Sequence, residues 1–326
     1  MTKQMNTYFL KSALYASGLI AATITAPCAP LQRSDVAGEP AWVVHVDCDA
    51  LRPTAIGQFL LTEMEKPDAQ AKFAAFQSIL GFDPRTQLHG LTLYSTGKAP
   101  EDGVLLVYGD FDPERLLTLA KAAGDYHSTT YKQQTIHNWI DEKKKDKEGV
   151  KPRVYAALQG KHIVVFAQQE TRVGEALDVL NRATPNLAGS GVFPQLGASS
   201  STSILQAAVR KLDIPDSTPN AALLRLAKAA RLDIGEAQGQ LKGTLRLEAG
   251  SEEVATQMAL VGQGLIALLK LQKEASGPVK LAEGLSLKQD GAAVVASLTF
   301  PTSGALELMK ADAAKKAEKK AKAENN

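Results

Sequence analysis

Along this chain the apolar and polar positions recur in one order: a short apolar run, a polar turn, then an amphipathic stretch. The clearest instance is Val104–Gly124, VLLVYGDFDPERLLTLAKAAG. Val104 to Tyr108 is a nearly continuous apolar run, the pattern of a strand with a buried face. Gly109 and Asp110 break it. Asp112 then suits an N-cap, Pro113 the first helical position and Glu114 the positive end of the helix dipole. Leu116, Leu117, Leu119, Ala120 and Ala123 make an apolar stripe at helical spacing, and Gly124 supplies the stop. Asp110 and Asp112 look like half a metal site, but capping accounts for both without a ligand.

The same reading applied to the whole chain predicts two series of elements. In the first, Ala41–Val46 is a strand, Pro53–Glu65 and Ala69–Leu80 are helical, and Gly90–Ser95 with Val104–Tyr108 is a strand pair. The helix after Asp112 follows, then short strands at Tyr126–Tyr131 and Thr135–Ile140. A charged loop covers Asp141–Lys151. The series closes with a hairpin, Arg153–Leu158 and Lys161–Ala167, and a helix over Gln169–Leu180. In the second series Ile204–Arg210 is a strand, Asn220–Ala229 a helix, and Arg231–Ala237 with Gln240–Glu248 a hairpin. Ser251 caps a long helix reaching about Glu274. Gly284–Lys288 and Ala292–Leu298 pair through Asp290-Gly291, and Thr302–Ala314 is helical.

Each series therefore runs strand, helix, hairpin, helix, hairpin, helix, and Ala176–Leu180 (ALDVL) aligns with Ala305–Met309 (ALELM) at the close. This order predicts an α+β fold of two similar halves from an internal duplication, each a largely antiparallel sheet with helices packed on one face. The expected boundaries are a signal peptide over 1–29, a leader over 30–40, a first half over 41–185, a linker over 186–202, a second half over 203–311 and a Lys-rich tail over 312–326. The segments AWVVHVDCDALRPT, GVLLVYGDFDPERLLTLAKAA and NAALLRLAKAARLDIGEAQGQL resemble those of a group of exported bacterial α+β proteins with no assigned activity. The resemblance implies an extracytoplasmic repeat protein and carries no catalytic residue to any position here.

Composition adds a destination. Lys3 and Lys11 precede an apolar run, Ala13–Ala22, and small residues with Pro follow through Ala29, the layout of a secretory signal peptide with cleavage near residues 26–29. The mature chain is thus expected to be periplasmic or extracellular. The run is short for a transmembrane span, and no later segment is expected to cross a membrane. Pro27 disfavours Cys28 as an acylated residue. The 326 residues carry 37 Lys and Arg against 35 Asp and Glu, a formal net charge of +2. That balance lacks the basic field of a nucleic-acid-binding protein. Of two cysteines, Cys28 falls at the expected cleavage region and Cys48 at the end of the first strand, where a buried inert thiol is expected.

Two clusters could carry chemistry. His45, Asp47 and Asp49 would alternate onto one face of a continuous strand and so could converge on a metal ion, although capping of the next helix explains the acids equally. His127, Tyr131, His137 and Trp139 would share a face if a three-residue turn joined their strands. That face would suit a sugar, peptide or partner strand, whereas a two-residue turn would scatter them. No nucleophile elbow, P-loop or dinucleotide fingerprint is present. The expectation is an exported non-catalytic protein, without cofactor, that binds an envelope protein or a small ligand. The alternatives are a metal-dependent hydrolase built on His45, Asp47 and Asp49, and a structural component that self-associates through the long helix.

Overall fold

The computed structural model describes residues 30–66, 69–70, 73–74, 77, 81–142, 149, 151–198, 202–212, 224–271 and 277–324. The expected signal peptide, Cys28, most of the helix placed at 69–80, most of the charged loop, and the helix placed at 220–229 up to residue 223 lie outside the described residues.

The strands are β1 (Trp42–Asp47), β2 (Leu88–Ser95), β3 (Gly103–Gly109), β4 (His127–Tyr131), β5 (Gln134–Ile140) and β6 (Arg153–Gln159). They continue as β7 (Ile163–Ala167), β8 (Ser203–Val209), β9 (Ala229–Ala237), β10 (Gln240–Glu248), β11 (Leu285–Asp290) and β12 (Ala293–Pro301). Between them lie helices α1 (Cys48–Leu51), α2 (Ala55–Met64), α3 (Pro84–Gln87), α4 (Pro113–Ala122), α5 (Glu170–Leu180), α6 (Glu252–Leu271), α7 (Gly277–Glu283) and α8 (Thr302–Glu324). The fold is α+β, and all twelve strands form one antiparallel sheet in the order β11-β12-β10-β9-β8-β1-β2-β3-β7-β6-β5-β4.

That order repeats. From the centre outward the first half reads β1-β2-β3-β7-β6 and the second β8-β9-β10-β12-β11. Each set is first strand, first hairpin, then the last hairpin reversed. The halves join where β1 pairs with β8, His45 facing Gln206 and Val43 facing Ala208. The hairpin β4–β5 extends the first half alone. The exposed edges are polar, with Ser128, Thr129 and Thr130 on β4 and Lys288, Gln289 and Asp290 on β11, which discourages further strand addition.

The larger core lies on one face of the first half, where α5 lays Val173, Ala176 and Leu177 over Leu106, Val165, Ala157 and Ile136. Two stretches expected to lie outside the halves belong to it. Leu31 and Val36 of the leader and Leu187 and Leu196 of the linker are buried there. Arg33 ties the two together by donating to the carbonyls of Leu187 (2.7 Å), Leu196 (2.9 Å) and Phe193. Helices cover both faces of the first half, where the sequence suggested one. The reason is that β6 and β7 carry apolar residues on both rows: Ala157 and Val165 face α5, while Leu158, Val164 and Phe166 face α4.

The second half has a smaller core, built by Ala255, Met258 and Ala259 of α6 against Val294, with Leu247 and Leu287 beside them. α7, which the pattern of residues did not predict, packs against α6. α6 bears on the expectation about later segments in one respect only, the length and composition that crossing a membrane requires. Its 20 residues meet that requirement, and only 17% of its most apolar window is buried.

Candidate functional site

α4 is positioned by its N-terminus. The Asp112 carboxylate accepts from the backbone N–H groups of Glu114 (3.0 Å) and Arg115 (3.2 Å), and Pro113 occupies the first turn. The helix then runs over the outer strands of the first half with its apolar stripe turned to the sheet. None of its residues is fully buried. Leu116, Leu117 and Ala120 stand off from the sheet, and a cavity of about 410 Å³ lies between them and β5, β6 and β7. Its sheet side is formed by His137, Trp139, Ala156, Leu158, Val164 and Phe166. That size is within the usual range for small-molecule pockets, and such pockets are mostly apolar with a few placed polar groups.

His137 is the one ionisable side chain of this lining. Its Nδ1 lies 2.8 Å from the Tyr126 hydroxyl, and the two rings stack with centroids 6.0 Å apart. Burial, followed by the positive charge of Lys121, holds the imidazole below its ordinary pKa. It is therefore neutral at neutral pH, a polar but uncharged mark on an apolar wall.

The four residues expected to share a face divide in two. A two-residue turn joins β4 to β5, pairing Tyr131 with Gln134 and Ser128 with His137. Lys132 accepts the positive φ, 53°, that such a tight turn demands. His137 and Trp139 consequently face α4 and the cavity, whereas His127 and Tyr131 lie on the opposite row with Ile136 and Asn138. Tyr131 there donates to Asp178 of α5 (2.8 Å), and its ring lies against Gly174, where a Cβ would come within 3.0 Å. His127 is exposed and bonds to Asp125. The cavity's other walls, Phe166 and Leu158 above all, were not singled out in the sequence. Their signal was the unbroken apolar character of β6 and β7, which requires cover on both sides.

The metal candidates separate as well. His45 is 2% exposed and its Nδ1 meets Thr92 Oγ1 at 2.9 Å. Asp47 caps α1 by accepting from the Ala50 N–H (2.8 Å). The strand ends there and α1 begins at Cys48, so alternation fails before Asp49. Asp49 instead accepts from Arg52 and meets His89 Nδ1 at 3.0 Å. The other nitrogen of His89 meets Asp110 (3.2 Å), which also lies 3.3 Å from His162. Asp110 thus links two histidines, while Asp112 alone caps α4. Among the described residues no group of three His, Cys, Asp or Glu side chains is arranged to hold a metal ion. Cys48 is half-buried, and burial with the neighbouring Asp47 pushes its thiol up to about 11, as expected of an unreactive cysteine.

A second cavity, about 580 Å³, opens at the strand ends beside Asp47, Asp49, Thr54 and Glu236. These four are committed within the protein: Asp47 to the Ala50 N–H and Asp49 to the side chains of Arg52 and His89. Thr54 accepts from the Gly57 N–H, and Glu236 accepts from Ala55 and Ile56 at the start of α2. The cavity under α4 is the better candidate for a ligand.

No protein-family model and no curated protein matches this chain. Among solved structures, one described as crystal form I of TP0453 overlaps 88% of this chain and 99% of its own, with a TM-score of 0.48 and 12% identity. The functional reading rests on the chain's own geometry.

Proposed function

We propose that this protein binds a small, mostly apolar ligand in the cavity beneath α4, with His137, oriented by the Tyr126 hydroxyl, receiving its one polar group. The observation that carries the reading is the lining: a space of about 410 Å³ walled by leucines, Trp139 and Phe166, with a single neutral imidazole. An apolar body would gain about 25 cal/mol for each Å² removed from water. A neutral hydrogen-bonding group fixes orientation without the cost of burying a charge. The role is placed outside the cytoplasm on the strength of the Lys3 and Lys11, apolar, small-residue layout of the N-terminus.

Trp139 supplies the readout. Trp42 is the only other tryptophan, so a Trp42→Phe background leaves Trp139 alone to report. Titration with decanoate or with the dye 8-anilinonaphthalene-1-sulfonate should shift Trp139 emission and saturate. Ala120→Trp, made in the wild-type background and read through the dye, should fill the cavity and abolish binding while circular dichroism stays unchanged. Dye binding that survives Ala120→Trp at full strength would place the ligand elsewhere.

A further inference from the structure

α6 carries a second apolar face that its own half does not use. One side seats Ala255, Met258 and Ala259 in the core. On the other, Leu260, Leu268 and Leu271 are 63%, 62% and 76% exposed, with Val261 and Leu265 also exposed. From Met258 to Leu269 the helix has no charged residue. A helix at the protein surface ordinarily turns charge to water, and one that is apolar all round is normally enclosed.

The face has a shape. Leu260, Gly264 and Leu268 stand at i, i+4 and i+8, one ridge along the helix with its middle tooth missing. Gly264 lies in open space, where a Cβ would meet nothing within 4 Å. Mid-helix glycine costs roughly 1 kcal/mol relative to alanine, and nothing among the described residues requires it at that position. Two positions earlier Gly262 is explained, since a Cβ there would come within 2.7 Å of Leu287. A gap between two leucines does have a use when another helix crosses at that point.

We infer that α6 is a self-association surface, with a second copy of this chain crossing α6 against α6 at Gly264. A two-fold axis makes such a contact complementary by construction: Gly264 meets the partner's Gly264, so the backbones approach closely, and Leu260 of each copy meets Leu268 of the other. An antiparallel crossing brings the Lys270 end of one helix to the Glu253 end of its partner, opposite charges and opposite helix dipoles together. The exposed leucines and valine amount to several hundred Å² per copy, and doubling this approaches the roughly 1,000 Å² of a specific interface. A lipid surface would bury the leucines equally but gives the gap at Gly264 no purpose.

Sedimentation velocity on the purified protein, across its soluble concentration range, tests this. A monomer–dimer equilibrium is expected. Leu268→Glu should leave a monomer with unaltered circular dichroism. Gly264→Leu should raise the dimer dissociation constant at least tenfold while the monomer melts at the same or a higher temperature, because leucine favours the helix. Ala120→Trp, which closes the separate cavity under α4, should dimerise like wild type. A strict monomer at every concentration would overturn the inference, as would a dimer indifferent to both α6 substitutions. Recruitment of a non-associating monomer to phosphatidylcholine vesicles would also overturn it, in favour of a lipid surface.

Discussion

α4 and α6 occupy the same slot in the two halves, each between one hairpin and the next, yet they meet the sheet differently. α6 presents alanines, Met258 and Gly262 inward, and the helix comes down close enough for Ala255 to be completely buried. α4 presents Leu116, Leu117 and Ala120, has no fully buried residue, and leaves about 410 Å³ beneath it. The bulk of the inward stripe decides whether one topological slot closes or keeps a cavity. The length of the helix decides the rest. α4 ends after ten residues, whereas α6 runs for twenty and carries its apolar outer face with it.

The halves should differ most in what a core truncation costs. Leu177, wholly buried under α5, belongs to the larger core, and Leu177→Ala should cost about 3–5 kcal/mol in denaturant unfolding. Met258→Ala, in the smaller core beside an exposed helix face, should fall below that range, at about 2 kcal/mol. Equal losses would break the contrast between a deep and a shallow core.

Next in size are substitutions that enlarge the inward stripe. Gly262→Leu drives a side chain into Leu287 and should destabilise by about 1–3 kcal/mol, less what the better helix propensity returns. Ala120→Leu places the same bulk into free space, so it should be neutral or stabilising while weakening decanoate binding. If both substitutions destabilised alike, the cavity would not be the consequence of stripe bulk.

The caps give a smaller and more local comparison. Asp112→Ala leaves two N–H groups of α4 without an acceptor and should cost about 1 kcal/mol. Ser251 accepts from Val254 at 3.3 Å, and Ser251→Ala should cost less, since α6 has a tighter seat on the sheet. Only the first should loosen dye binding, because α4 is the wall of the cavity.

Much of this contrast was legible in the sequence. The two series of elements, the hairpins at Gly160, Gly239 and Gly291 and the caps at Asp112 and Ser251 follow from local rules of turn and cap chemistry, and the antiparallel sheet follows from the hairpins. His137 and Trp139 were singled out together and do line one cavity. Their grouping with His127 and Tyr131 failed on one residue of turn length, since a strand's side chains change face with each step of register. The convergence of His45, Asp47 and Asp49 failed because α1 starts one residue after Asp47. The link from Asp49 through His89 and Asp110 to His162 joins the ends of β1, β2, β3 and β7, and no local pattern contains it. The cavity depends on how far a helix stands from a sheet, which is a property of packing across distant segments.

The smallest effect is electrostatic, and it also separates the two helices. Burial and Lys121 lower the His137 pKa in the folded protein, while in the unfolded chain it returns to about 6.5. Between those values the unfolded state holds more protons than the folded one, so stability falls as pH drops from about 6.5 to the folded pKa and then levels off. Asp102, Asp125 and Asp178 are held below the ordinary carboxylate pKa, chiefly by hydrogen bonds from Arg172, His127 and Lys132 respectively, so their contribution is lost in a separate step below about 4. Unfolding midpoints against pH should therefore show a shallow loss below about 6.5 that His137→Phe removes. The affinity for the anionic dye read at Trp139 should hold through that window, where folded His137 stays neutral, and strengthen only below the folded pKa, where an imidazolium would attract the sulfonate. Association through α6 should be flat there, since Met258 to Leu269 contains nothing that titrates. A dimer affinity that followed the His137 window would mean that the cavity and the α6 face act as one site.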